Sequence, residues 1–187
     1  LNYKVVDAGI DGFGDLWGKL RRELRKLDMR RGRHIVYAGT RRGAEKVAEI
    51  CDEEHGRTVA LVYHAGLSGD KRTKAQEAFS DPDGSLRIIC ATTAFGMGVD
   101  VPDIRTVICF GFPGSIEDYI QQIGRAGRDG QRSDTILIAD AGSADWQMKL
   151  IENENPPWSH YGVLWEWLHT QVQPGQSLRL SRSDISQ

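Results

Sequence analysis

The chain has 187 residues, 40% of them hydrophobic and 27% charged, with a formal net charge of −2. That length fits one domain, or one domain with a tail, and the composition is ordinary for a globular protein. It excludes a membrane-spanning run of about 18 apolar residues, a signal-peptide pattern and a global basic excess of the kind that draws whole proteins to nucleic acid. The opening Leu1, in place of Met, reads as a fragment or a processed product.

A first helix is expected over about 14–28. It overlaps a run, 21–33 (RRELRKLDMRRGR), with seven Lys/Arg against two acids, which is either a solvated helix end or a local basic patch. "HIVYA" (34–38) is the first expected strand. A helix over 41–55 follows, with Ala44, Val47, Ala48 and Cys51 at i, i+3, i+4, i+7. "TVALVYH" (58–64) reads as a strand and 69–80 as a helix. "LRIICAT" (86–92) and "RTVICFG" (105–111) read as strands. Residues 115–124 read as a helix opened by Ser115, with Glu117 and Asp118 in its first turn. "DTILIAD" (134–140) is a further strand. Strands that are apolar on both sides and alternate with helices predict a mostly parallel sheet with helices on both faces, a doubly wound α/β domain.

Beyond about 142 the character changes. Residues 143–155 read as a helix broken by "NPPW", and 158–170 (WSHYGVLWEWLHT) as a short aromatic helix. From 171 the chain is polar and without period, as in a disordered tail. The expected division is therefore 1–142, 143–170 and 171–187. Trp158, Trp165 and Trp167 either cap the sheet edge or form a docking face for a protein partner. The three cysteines, Cys51, Cys90 and Cys109, lack CxxC spacing, which argues for a reducing compartment and against a zinc site. Cys90 and Cys109 sit in apolar runs and read as small core residues.

Ligands of open α/β sheets gather beyond the strand ends, so the loops carry the chemistry. No GxxxxGK[ST] phosphate loop is present; Gly18-Lys19 is followed by Leu20. In "ATTAFGMGVDVPDIR" (91–105), Thr92 and Thr93 suit a phosphate oxygen. Gly96 and Gly98 permit close backbone approach, and Asp100 offers an acceptor for a ribose hydroxyl, but by spacing alone an ordinary glycine-rich loop is the simpler reading. "QQIGRAGRDG" (121–130) spaces Gly124, Gly127 and Gly130 by three, with Arg125 and Arg128 between them. Such a loop is either a surface turn with solvated arginines or a carrier of two guanidinium groups for a phosphate.

"VYAGTR" (36–41), "YHAGL" (63–67), "ATTAFGMGVDVPDIR" and "YIQQIGRAGRDG" (119–130) occur in that order. Together they resemble the second RecA-like domain of superfamily 2 helicases. "AFGMG" and "QQIGRAGRDG" resemble the RecQ family more than the DEAD-box RNA helicases. The resemblance is close over about 30–140. It implies a RecA-like, P-loop NTPase-type fold with a short helical extension. It further implies half of a 3′–5′ ATP-dependent DNA helicase, nuclear in a eukaryote and cytoplasmic in a bacterium. ATP and Mg²⁺ would be held mainly by an N-terminal RecA-like domain, and this half alone would be inactive. The resemblance makes Arg128 the arginine finger, Arg125 a second phosphate contact and Gln121 a coupling residue. Asp100 and Gly98 would lie against the nucleotide. Thr40, Arg41, His64 and Thr92 would grip the backbone of single-stranded or duplex DNA. His64 also reads as a satisfied structural histidine.

The chain departs from RecQ proteins after Cys109, where no cysteine is left for their four-cysteine zinc module. The pair His160 and His169 does not replace it. A stand-alone interaction module and half of an RNA helicase are the alternative readings.

Overall fold

β-Branched runs bounded by glycine and capped helices fix the elements of the computed structural model, which describes residues 1–7, 15–96 and 100–154. In chain order these are β1 (Asn2–Asp7), α1 (Leu16–Leu24), β2 (Arg33–Ala38), α2 (Arg41–His55), β3 (Ala60–Tyr63) and α3 (Gly69–Ser80). Then follow β4 (Ile88–Ala91), β5 (Ile104–Phe110), α4 (Ile116–Ile123), β6 (Asp134–Ala139) and α5 (Ala141–Glu154). The described strands form one sheet in the order β1-β6-β5-β2-β4-β3, every pairing parallel. This is the expected α/β architecture. The chain divides into two compact units, 1–148 and 149–187. No helix among the described residues is long and apolar enough to cross a membrane.

Two cores flank the sheet. On one face Leu20 and Leu24 of α1 and Val47 and Cys51 of α2 cover Val36, Cys90 and Ile108. On the other, Phe79 of α3 and Ile123 of α4 cover Ile35, Ile89 and Val107. Phe95 fills the gap between them, edge-on to Tyr63 at 5.0 Å and to Phe79 at 5.8 Å. Each such fully buried side chain contributes about 1.5–3 kcal/mol. Cys51 and Cys90 meet in the first core with their sulfurs 3.8 Å apart, as free thiols.

Local chemistry sets the helix ends. Thr40, Ser68 and Ser115 accept hydrogen bonds from the amides of Gly43, Lys71 and Asp118, which satisfies donors that helix N-termini leave open. Gly56 closes α2 in the left-handed region at φ +62°. Asp140 and Ser143 cap each other at the start of α5, two residues before the expected start.

Three differences from the sequence reading have physical causes. Strand β1 was not among the expected strands: it is an edge strand with Tyr3 and Val5 exposed, so its pattern lacks an apolar signature. Helix α1 stops at Leu24, and the chain continues in tight turns from Lys26 to Glu23 and from Leu27 to Leu24. The basic run is mostly exposed, as a solvated helix end would be, but part of it is paired within the fold. Arg21 and Arg25 pair with Glu54, Lys26 pairs with Glu23, and Arg33, buried at the start of β2, pairs with Asp103. Gly98, His160, His169, Trp158, Trp165, Trp167 and the 171–187 tail lie outside the described residues.

Candidate nucleotide and nucleic-acid site

Helix α4 is short and strongly amphipathic, and it delivers the arginine loop, 124–130. Gln122 and Ile123 are buried at its end. The Gln122 side-chain oxygen Oε1 accepts a hydrogen bond from the Cys109 thiol at 3.1 Å. Burial pushes that thiol up to about 12, which keeps it protonated and a donor. The loop is then tied down along its length. Gly127 N–H donates to Ile104 at 2.9 Å and Asp129 N–H to Pro102 at 3.3 Å. The Arg105 guanidinium holds the Asp129 carboxylate and reaches Ser133 Oγ at 3.0 Å. Gly127 sits at φ +65°, and a Cβ there would lie 2.8 Å from the Gln131 carbonyl. Glycine is therefore required at that turn.

Both arginines face the loop that follows β4. The Arg125 guanidinium packs on Gly96, where a Cβ would lie 2.6 Å from Nη2. It also meets the phenol of Tyr37, whose OH donates to the Phe95 carbonyl at 3.2 Å. Burial raises the Tyr37 phenol to about 12, against the opposing pull of Arg125. Arg128 is on the surface and donates to Asp100 Oδ1 at 3.2 Å. Asp100 is 87% exposed, so its second oxygen and its unfilled lone pairs face solvent. Gln121 and Gln122 border a small cleft with Tyr37, Gly96 and Arg125, about 50 Å³ in volume. Pockets that enclose a small ligand run to roughly 300–1,000 Å³. The described residues around Arg125 thus offer one wall to a ligand.

The nucleic-acid candidates gather at the carboxyl ends of β2, β3 and β4. Thr40 caps α2, and Arg41 is the first residue of that helix. Arg41 lies over Gly66, where a Cβ would stand 3.1 Å from its Nη1 and 3.2 Å from His64 Nδ1. Arg41 and His64 therefore share one small area. His64 is buried, with Nε2 3.2 Å from Glu45 Oε1, while its Nδ1 has no hydrogen-bond partner. Thr92 is half-buried, and its backbone joins Tyr63 to Phe95. Helix N-terminal amides, a hydroxyl and a guanidinium form a set suited to phosphate oxygens.

Tyr37, Gln122 and Arg105 were not among the sequence candidates. A buried tyrosine needs a partner for its hydroxyl, which is the signal "HIVYA" carried. Gln122 and Arg105 give no local signal, because their partners are remote in the chain. Among the described residues no three His, Cys, Asp or Glu side chains gather as a metal site.

The sequence matches the helicase conserved C-terminal domain over residues 17–130. It is 40% identical over 156 residues to the probable ATP-dependent DNA helicase RecS of Bacillus subtilis, which covers 83% of this chain and 31% of RecS. It is 36% identical over 140 residues to the RecQ-like DNA helicase BLM of Xenopus laevis, covering 72% of this chain and 10% of BLM. The chain thus spans a third or less of the length of these curated relatives. Among solved structures, the DEAD-box protein SrmB of E. coli, bound to RraA, superposes with a TM-score of 0.60 at 25% identity. That match covers 74% of this chain and 76% of the other. With the parallel sheet, the glycine loop and the arginine loop in place, the chain belongs to the helicase conserved C-terminal domain family, and RecQ-type DNA helicases are among its relatives.

Proposed function

We propose that this chain is the C-terminal motor half of an ATP-dependent, RecQ-like DNA helicase, working 3′ to 5′. The observation that carries this reading is the packing of both arginines of the 124–130 loop against the loop after β4, Arg125 on Gly96 and Arg128 on Asp100. ATP with Mg²⁺ would sit between this wall and an N-terminal RecA-like domain. Arg128 would leave Asp100 for the γ-phosphate as the cleft closes, and Asp100 would be freed to accept from a ribose hydroxyl. Arg125 would make a second contact, held in its stance by Tyr37. A planar guanidinium gives two parallel hydrogen bonds to phosphate oxygens. An arginine finger contributes about 10³–10⁵ in rate.

Thr40, Arg41, His64 and Thr92 would hold the DNA backbone without reading its bases. Gln121, beside Arg125 and exposed, would couple the two sites. Because this half presents one wall only, it would not hydrolyse ATP alone. A Trp158, Trp165 and Trp167 docking face and a nuclear or bacterial cytoplasmic setting remain parts of the same proposal.

The test is Arg128→Ala in the complete gene product. DNA-stimulated ATPase is expected to fall by about 10³-fold or more, with single-stranded DNA binding nearly unchanged. Turnover close to that of the unaltered protein would sink the finger assignment.

A further inference from the structure

Helix α2 and the turn after β3 meet at one buried ring. His64 closes that turn, its carbonyl accepting from the Leu67 amide at 3.1 Å. His64 is 4% exposed, and a polar side chain at that depth is costly unless something bonds it. Glu45 of α2 supplies the bond, with Oε1 3.2 Å from His64 Nε2. An ionised carboxylate only accepts, so Nε2 carries the proton and donates. Nδ1, the other ring nitrogen, is buried without a partner beside Gly66, where a Cβ would lie 3.2 Å from it.

The same glycine lies under Arg41. A Cβ on Gly66 would stand 3.1 Å from both Cδ and Nη1 of Arg41, so the guanidinium rests on the bare backbone of the turn that His64 closes. Arg41 and Glu45 are four residues apart on α2 and are neighbours on its surface. Glu45 nevertheless pairs with His64. Arg41 is exposed and has no ion pair or hydrogen bond among the described residues. The Glu45 carboxylate thus anchors the turn on which Arg41 rests, and it leaves the neighbouring guanidinium unneutralised. Neither role requires Glu45 or the buried Nδ1 to touch a ligand.

We propose that Glu45 is a positioning residue, which through His64 and the Gly66 turn sets the place of the Arg41 guanidinium against a phosphate of the DNA backbone. This rests on the reading of Arg41 as a backbone contact and deepens it. His64 then serves that grip from beneath, by carrying the anchor from Glu45 to the turn. The Glu45 side chain is 54% exposed. By charge alone an exposed carboxylate weakens the hold on a polyanion, and its removal tightens it. Positioning requires the opposite sign, so the two roles are separable.

The experiment is fluorescence anisotropy of a labelled oligothymidine strand with the complete gene product over a range of salt, beside DNA-stimulated ATPase. Arg41→Ala is expected to weaken binding roughly tenfold, the loss of one charge-assisted contact, and to reduce the slope of log affinity against log salt by about one. Glu45→Ala should weaken binding about three- to tenfold in spite of the lost negative charge and lower the salt slope in the same way. Its effect on the ATPase should fall on the DNA concentration for half-maximal stimulation rather than on kcat. Glu45→Gln, which loses the same charge but keeps an oxygen to accept from Nε2, should bind at least as tightly as the unaltered protein. Glu45→Ala added to Arg41→Ala should weaken binding no further. The inference is overturned if Glu45→Ala binds as tightly as the unaltered protein or tighter, if Glu45→Gln is as weak as Glu45→Ala, or if the double variant is weaker than Arg41→Ala. In each of these cases a weakened Arg41→Ala leaves the reading of Arg41 standing. Full affinity in Arg41→Ala overturns that reading and this inference with it.

Discussion

Gly96→Ala separates positioning of Arg125 from integrity of the fold. A Cβ at Gly96 would stand 2.6 Å from Arg125 Nη2, 3.0 Å from Cζ and 3.2 Å from Nε, where ordinary contact begins near 3.4 Å. The guanidinium must therefore retreat by about 0.8 Å, a displacement on the scale that costs about 10²-fold in rate when a reacting group is misplaced. The atoms in the way are the end of a flexible side chain, so the main chain need not move. Gly96 also sits at φ +152°, and an alanine held there stores about 1–3 kcal/mol of strain. The assay is DNA-stimulated ATPase of the complete gene product, beside urea unfolding of the same variant. The variant should stay folded, with kcat about 10²-fold down. Arg125→Ala sets the floor for comparison. A folded Gly96→Ala protein turning over at the unaltered rate would refute the claim that Arg125 works from its place beneath Gly96.

Two further outcomes bear on stability. Gly127→Ala should destabilise by about 1–3 kcal/mol, because the φ of +65° is strained for alanine and the Gln131 carbonyl lies 2.8 Å from its Cβ; an unchanged urea midpoint would contradict the turn geometry. His34, held neutral by burial and depressed to about 4, binds its proton more readily in the unfolded chain, where the ordinary value is 6.5. Stability from this group is therefore full above about pH 6.5 and falls as the pH drops toward 4, by an amount on the order of 3 kcal/mol. Urea midpoints at successive pH values should slope in that window, and His34→Asn should flatten the slope; an identical slope in the variant would assign the acid sensitivity elsewhere.

The elements with a strong local signature were legible in the sequence. The expected bounds of 41–55 and 69–80 coincide with α2 and α3, because each carries its own cap and, in α2, a clear apolar stripe. β1 was missed because an edge strand needs only one covered face. Its partner β6 lies at the other end of the domain, and nothing in "NYKVVD" announces that pairing. The pairing within the basic run 21–33 was illegible for a related reason. Charge counted along the chain does not reveal that Glu53, Glu54 and Asp103 come back in space to meet it.

The same distinction runs through the candidate site. Arg125, Arg128 and Asp100 were legible because glycine spacing marks where backbone turns tightly and side chains are presented. What orients them is not written locally. The Tyr37 hydroxyl reaches a carbonyl 58 residues away, Arg105 reaches Asp129 across 24, and the Cys109 thiol holds Gln122 across 13. Each support comes from a sheet strand or its start, so the rigid sheet sets where the arginine loop stands while the loop supplies the charge. The pair of Arg128 and Asp100 is exposed, and a surface ion pair of that kind contributes only about 0–1 kcal/mol, while Arg125 packs against Tyr37 and Gly96. If the loop acts on a phosphate, Arg128 offers the more exposed guanidinium, and Arg125 the one packed on Gly96 and Tyr37.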